Sequence, residues 1–169
     1  METMFGTALQ KPRFDFKYGG GKKKKNVVKA HKTLIDIVSL KNDMESNLNE
    51  FKFREALRNL IGIARLGNKH LADNEPWKIK NENPERVEQI LKTSFEIVTY
   101  LAVLSEPFLP FTSEKLKKMI GLNKTGWSNL DNLGSEIDFN FTITNKEMLF
   151  RRIEDSEIEF QIDKLKKGL

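Results

Sequence analysis

The stretch Phe51–Lys78, FKFREALRNLIGIARLGNKHLADNEPWK, combines a long apolar periodicity with an abrupt stop. Its apolar or small residues recur at intervals of three and four, the spacing that places side chains along one side of an α-helix. The residues in this pattern are Phe53, Ala56, Leu57, Leu60, Ile61, Ala64, Gly67 and Leu71. The spacing predicts a long core helix that organises the rest of the chain.

The predicted helix ends near Asn74 or Glu75, because Pro76 disfavours the helical conformation for the residue before it. Trp77 follows at the helix exit, among charged and polar neighbours. An indole buries a large apolar area when it packs inside a protein, and this polar setting suits burial poorly. Two interpretations follow: Trp77 fills a seam between helices, or it meets a flat partner.

Length and composition are typical of one soluble domain. The 169 residues (19.6 kDa) are 38% hydrophobic and 31% charged, enough to build a real core. No apolar run approaches the roughly 18 residues of a membrane span, and the apolar part of METMFGTALQKPRF is too short for a secretory signal. The absence of cysteine excludes disulfides, thiolate zinc sites and cysteine nucleophiles. We expect a cytoplasmic protein with no membrane partner.

The net charge of +5 is concentrated at the N-terminus. Residues 1–32 hold nine Lys or Arg and two acidic residues, whereas the remainder holds 20 basic and 22 acidic residues. The run GGGKKKKN has the charge to attract phosphates, but lysine runs beside glycines are common in loops without partners, so we interpret it as a solvated, flexible loop. Residues 1–25 show little helical periodicity, so we treat them as a basic segment preceding a helical domain at 26–169.

Helical periodicity and helix-start signals predict an all-α fold, an antiparallel bundle of about five helices. A helix is predicted over Asn26–Leu48, with Asn49 capping the central helix. Asn83-Pro84-Glu85 begins the next long helix, since Asn caps amides and proline suits the first helical position. After Pro107 and Pro110, Thr112 or Ser113 is predicted to cap a helix over Glu114–Ile120.

The C-terminal part reads as loop followed by one more helix. Residues 121–145 are rich in Gly, Asn, Ser and Thr, with alternation over Ile137–Ile143 that predicts one short strand. Trp127 and the nearby phenylalanines are predicted to cover the helical core. Ser156-x-x-Glu159 has the capping-box pattern, so we expect a last helix that closes the bundle.

Catalytic motifs are missing from this sequence. The glycines before the lysine run lack the strand and helix of a phosphate-binding loop. His31 and His70 lie on separate predicted helices without ligand spacing, so both are interpreted as ordinary surface or edge residues rather than metal ligands. What remains is a binding function.

Four residues around the helix exit suit single-stranded RNA, whose bases stack on aromatic rings while their edges accept hydrogen bonds. Trp77 is the candidate stacking platform. Asn68 offers a donor and an acceptor to a base edge, and Lys69 and Lys78 offer positive charge to phosphates. The alternatives are a core position for Trp77, a structural hydrogen bond for Asn68, and ordinary exposure for the lysines.

Four segments also resemble a known family, the anticodon-binding domains of bacterial-type methionyl-tRNA synthetases. They are ARLGNKHLADNEPWK, KFREAL, LAVLSEPFLPFTSEKLKK and LFRRIEDSEIEFQI, and the resemblance covers roughly residues 29–167. It implies a helical domain in which the tryptophan of the PW pair, Trp77, stacks on an unstacked anticodon base. The family's Asn-x-x-x-Arg pair, which contacts the anticodon, does not occur in residues 1–25.

The resemblance further implies that this chain is one part of a ligase. Neither the HIGH nor the KMSKS signature of adenylate formation is present. ATP, methionine and any zinc would then belong to a separate catalytic domain, and the chain alone should not aminoacylate. We therefore hypothesise recognition of a methionine tRNA anticodon loop, in partnership with that catalytic domain. The alternatives are a helical protein-interaction module that docks a catalytic partner domain, and the anticodon domain of a synthetase for another amino acid.

Overall fold

The computed structural model describes residues 22–122, 126–132 and 147–168. Within these ranges the regular structure is entirely helical, which confirms the predicted all-α class. The predicted strand at 137–143 and residues 1–21 lie outside the described residues, and the predicted domain boundary at residue 25 stays a prediction. The first helix begins at Lys22, four residues before the predicted start at Asn26, so the four lysines 22–25 are helical and the prediction of a loop there is wrong. The elements are α1 (Lys22–Asn49), α2 (Phe53–Asn74), α3 (Pro76–Ile79), α4 (Pro84–Leu104), α5 (Pro110–Met119), a 3-10 helix (Trp127–Asn132) and α6 (Asp155–Lys167).

Helices α1 and α2 form an antiparallel hairpin joined by three residues. The turn places Phe51 in the left-handed region (φ 61°), and the Asn47 side-chain amide donates to Asn59 Oδ1 at 3.0 Å across the hairpin. Asn49, predicted to cap α2, is instead the last residue of α1. Helix α2 begins after Lys52 without a side-chain cap, because the tight connection rather than a capping group sets its start.

Helix α4 packs antiparallel to α2 and completes a three-helix core. Gly67 makes this approach close: a Cβ at its position would lie 3.0 Å from Ile97 Cγ2. Asn83 and Pro84 begin α4 as predicted, with Asn83 Oδ1 accepting from the Arg86 amide at 3.1 Å. The buried core cluster comprises Ile37, Met44, Ala56, Leu60, Ile63, Ile97, Tyr100, Val103, Leu104 and Leu130.

The residues of α2 that face the core are not all those of the predicted apolar stripe. Leu57 and Ile61 belong to that stripe but are 40% and 44% exposed. Ile63 and His70 are buried instead, so the inward side is rotated toward them. The prediction that His70 is a surface or edge residue is therefore wrong. The reason is tertiary: α4 covers this side of α2 and offers a carbonyl to the imidazole.

Helix α5 and the 3-10 helix pack against α4. Helix α5 begins at Pro110, four residues earlier than predicted, and neither Thr112 nor Ser113 caps it. Ser113 is buried and donates its hydroxyl proton to the Ala102 carbonyl at 2.5 Å, which ties α5 to α4. Trp127 packs half-buried against the core, confirming its predicted covering position.

Helix α6 buries none of its residues, so the expectation that the last helix closes the bundle is wrong. Its capping box is formed by Glu154 and Glu157 rather than by Ser156 and Glu159. The Glu154 amide donates to Glu157 Oε2 at 3.1 Å, which starts the helix two residues before the predicted box. In the ranges that the structure describes, no helix has the length and apolar character that a membrane crossing requires.

Candidate nucleic-acid interface

One backbone turn directs the chain from α2 into α3. Helix α2 ends at Asn74, and Glu75 adopts the left-handed conformation (φ 40°, ψ 57°) with its amide donating to the Leu71 carbonyl at 2.9 Å. Left-handed residues commonly terminate helices in this way. Pro76 then occupies the first position of α3, where its missing amide proton loses no hydrogen bond. Pro76 is buried, so it anchors this turn in the fold.

Trp77, the next residue, is 57% exposed. It is absent from the core cluster and from the apolar residues packed on it, whereas Trp127 belongs to the latter group. The interpretation of Trp77 as a seam-filling core residue is therefore wrong. A large aromatic surface is presented to solvent on a one-turn helix that packs against α4.

The end of α2 is tied to the start of α4 by a polar cluster that we call the clamp, formed by His70, Asn74, Arg86 and Gln89. The Asn74 side-chain amide donates to the His70 carbonyl at 2.7 Å. The Arg86 guanidinium donates from Nη2 to Asn74 Oδ1 at 2.7 Å and from Nη1 to Gln89 Oε1 at 3.4 Å. The clamp thus fixes both helices that flank the Trp77 turn.

The imidazole of the clamp is neutral near pH 7. Burial lowers the pKa of His70, more than its hydrogen bond to the Ile90 carbonyl raises it. His70 Nε2 lies 3.3 Å from that carbonyl oxygen, so the neutral ring carries its proton on Nε2 and donates. Burial also lowers the pKa of the Arg86 guanidinium, which stays charged because arginine starts from a pKa above 12. The clamp is therefore a hydrogen-bonded support and carries one positive charge.

The four predicted contact residues fall into two groups. Trp77 and Lys78 are adjacent and exposed on α3, where Lys78 Nζ pairs with Glu75 Oε1 at 2.8 Å. Asn68 and Lys69 are exposed on α2, roughly 8–9 Å along the helix axis before Asn74. Neighbouring helical residues point about 100° apart, so Asn68 and Lys69 face different directions and do not converge on one base. Within the described ranges, neither residue forms a hydrogen bond or ion pair with another side chain.

Three further basic residues were not predicted as contacts. Arg54, Arg58 and Arg65 are exposed on α2 and lie on the same side as Lys69. From Arg54 to Lys69, the four basic residues are separated by four, seven and four positions, which follows the helical period. This spacing is visible in the sequence and could have identified them. Arg86 was also missed, because its role depends on α4 lying beside the end of α2.

Comparison with known proteins gives one consistent result. A family model described as "Anticodon binding domain of methionyl tRNA ligase" matches residues 22–166. The methionine–tRNA ligase of Flavobacterium psychrophilum is 44% identical over 134 residues, 79% of this chain and 20% of that protein. The ligase of Cytophaga hutchinsonii is 46% identical over 120 residues (71% and 17%), and that of Bacteroides fragilis is 41% identical over 133 residues (79% and 19%).

The chain spans about a fifth of the length of these relatives. The family model covers most of the chain, including all the helices described above except the last residue of α6. The helical fold and the matched range agree with each other. This chain belongs to the family of anticodon-binding domains of methionyl-tRNA ligases.

Proposed function

We propose that this chain binds the anticodon loop of a methionine-accepting tRNA and that the indole of Trp77 stacks on one unpaired base. The observation that carries the proposal is the exposure of Trp77, 57% of whose surface is open, on a turn held by Pro76. Base stacking on an aromatic ring contributes about 1–3 kcal/mol per base. Because Pro76 fixes the backbone of this turn, the chain loses little backbone freedom when a base binds there.

The neighbouring side chains support the same role. The exposed side-chain amide of Asn68 can read the edge of a base, and Lys69 and Lys78 supply positive charge for phosphates. Lys78 must exchange its contact with Glu75 for a phosphate, which costs little because the pair is exposed. Base contacts would give specificity, and the lysines would position the strand.

The proposed role in the cell is specificity and positioning within a methionine–tRNA ligase. The catalytic domain of that ligase, with its ATP, methionine and any zinc, would be the chain's protein partner. Charging tRNA is part of translation, which suggests the cytoplasm. We expect no aminoacylation by this chain alone, because it holds neither adenylate-forming signature.

The test is a titration of this chain with a labelled anticodon stem-loop of methionine tRNA and with the same RNA carrying an altered anticodon. Replacing Trp77 with Ala should weaken binding of the native loop by about 1–3 kcal/mol, or roughly five- to 150-fold. The helix content measured by circular dichroism should stay unchanged, since the ring is outside the core.

A matched control is Phe111→Ala, which removes another exposed aromatic ring, on α5. It should leave RNA affinity unchanged. Equal affinity of the parent and the Trp77→Ala protein would refute the stacking role. Equal affinity for both anticodons would refute anticodon recognition even if the RNA binds.

A second candidate is a protein-interaction module, which the exposed apolar side chains of α6 favour. Ile158, Ile162 and Leu165 are all exposed and recur at helical spacing. Docking through apolar surface would depend weakly on salt, whereas RNA binding falls steeply as salt is added. The salt dependence of complex formation therefore separates the two candidates.

A further inference from the structure

The side of α2 that faces away from the core carries a line of four cationic side chains. Arg54, Arg58, Arg65 and Lys69 are all exposed. At 3.6 residues per turn they fall within an arc of about 60°, opposite the buried residues of the same helix. They extend over about 22 Å along the helix axis. We call this line the α2 basic stripe.

Among the residues that the structure describes, no carboxylate neutralises the charges of the stripe. Several lysines elsewhere in the described ranges pair with glutamates, for example Lys92 with Glu88 at 2.7 Å and Lys41 with Glu45 at 3.3 Å, whereas others, such as Lys80 and Lys164, do not. None of the four stripe residues has an ion pair within the described part of the chain. The two acidic residues of α2 are Glu55, three residues before Arg58, and Asp73, four residues after Lys69, but neither forms an ion pair with the stripe in the described structure.

The spacing within the stripe opposes folding rather than favouring it. Arg54 and Arg58 are four residues apart, and so are Arg65 and Lys69, which makes two like-charge pairs on adjacent turns. Each such pair destabilises a helix by about 0.2–0.5 kcal/mol. A bound polyanion would relieve the repulsion within these two pairs.

The residue types indicate which polyanion fits. Three of the four are arginines, whose planar guanidinium binds phosphate oxygens through two parallel hydrogen bonds. A line of about 22 Å on one helix matches several successive phosphates of one strand rather than a single anion. The Lys69 end lies near the end of α2, after which Trp77 is presented.

We infer that the α2 basic stripe binds the sugar–phosphate backbone of the RNA strand that adjoins the base stacked on Trp77. This inference rests on the proposed function and extends it from one base to a track along the whole of α2. The stripe contributes affinity and orientation without reading sequence, since phosphates carry no base identity. Trp77 and the stripe should therefore have separable effects on binding.

The test is the Arg54→Gln, Arg58→Gln, Arg65→Gln triple variant, titrated with the labelled anticodon stem-loop at several salt concentrations. Each lost phosphate contact lowers the slope of log affinity against log salt by about 0.7, so the triple should lower it by about 2. The affinity ratio of parent to triple should then shrink about 20-fold between roughly 50 and 200 mM salt. Preference for the native anticodon should persist.

The charge-matched control is a triple Lys→Gln variant at positions outside the stripe. It removes the same charge from Lys92, Lys115 and Lys118, each paired with a glutamate. Its salt slope should stay within a few tenths of the parent value. Circular dichroism of both triples should show the parent's helix content, because all six side chains are exposed.

Each outcome decides the inference separately from the proposed function. An unchanged slope in the arginine triple, or equal changes in both triples, would overturn the stripe while leaving the Trp77 result standing. If the arginine triple flattens the slope but Trp77→Ala has no effect, the stripe binds RNA and the stacking proposal fails. Absence of RNA binding by the parent protein would overturn both.

Discussion

The position of Trp77 depends on the backbone conformation of one residue. Glu75 is a non-glycine residue at φ 40°, a conformation that costs of the order of 1–2 kcal/mol for an L-amino acid. The surrounding structure maintains it: the Glu75 amide is bonded to Leu71, and Pro76 is buried directly after it. Strain of this kind is often found where a side chain must be presented for binding.

Among the described residues, Glu96 is a partly buried carboxylate whose charge state should affect stability. It lies half-buried on α4, and burial raises its pKa from 4.5 to about 7. Below pH 4.5 the carboxyl is protonated in the folded and unfolded states alike. Between about pH 4.5 and 7 the unfolded chain loses the proton first, so the free energy of unfolding should decrease as pH rises.

We therefore expect Glu96→Gln to raise the free energy of unfolding by about 1–3 kcal/mol at pH 8 and to change it little at pH 4.5. Urea denaturation followed by circular dichroism at the two pH values measures this. Glu88→Gln, an exposed position on the same helix, controls for the loss of one carboxylate. A gain at pH 8 no larger than that of Glu88→Gln would contradict the burial of the Glu96 carboxylate.

For single residues, the sequence offered exposure of Trp77 as one of two interpretations, and it wrongly placed His70 at the surface. The exposure of Trp77 follows from a proline turn in polar surroundings, and both features are local. The burial of His70 is not local, because it depends on the Ile90 carbonyl, twenty residues away in the chain. An isolated histidine in a helical pattern gives no sign of such a partner.

Among the helices, the boundaries that are set by residues close together in the sequence were predictable. The Asn83 and Pro84 start of α4 was predicted correctly because side chain, amide and proline lie within four residues. Ser113 looked like a cap by the same rule, yet its hydroxyl bonds to Ala102 on the neighbouring helix. A capping residue and a residue that joins two helices have the same sequence signature.

Arg86 should stabilise the junction of α2 and α4 on which the Trp77 turn depends. Replacing Arg86 with Ala leaves Asn74 Oδ1 without its donor in a half-buried position. We expect the free energy of unfolding to decrease by about 1–2 kcal/mol. RNA affinity should also decrease several-fold, since the end of α2 and the start of α4 are then less firmly joined.

Chemical denaturation and the stem-loop titration measure the two effects. Arg151→Ala is the control, because the Arg151 guanidinium also donates two hydrogen bonds to side-chain oxygens, both of Glu157, but in an exposed setting. Exposed ion pairs contribute about 0–1 kcal/mol, so this control should change stability little and RNA affinity not at all. If the two variants behaved alike, the clamp would have no positioning role.

At the scale of the whole molecule, the described residues form a three-helix core and a terminal helix that contributes no buried residue. Helices α1, α2 and α4 share one buried cluster, with α5 and the 3-10 helix packed on α4. Periodicity predicted these helices, but it did not predict that α6 lies apart, since an amphipathic helix has the same pattern whether or not a partner covers it. The stripe on α2 was missed for a related reason: which side faces outward depends on the packing of α4.

Helix α6 is stabilised by local interactions, so its removal should not unfold the rest. The Arg151 guanidinium and the capping hydrogen bond hold the pKa of Glu157 down to about 2, and no residue of α6 is buried. We expect deletion of residues 155–169 to leave the urea midpoint unchanged and to leave RNA affinity unchanged, because both the core and the proposed interface lie before residue 133.

Ser113→Ala, which removes the buried hydrogen bond between α5 and α4, is the control for the sensitivity of the assay and should lower the free energy of unfolding by about 1 kcal/mol. A midpoint lowered by the deletion as much as by Ser113→Ala would mean that α6 packs on the core in solution.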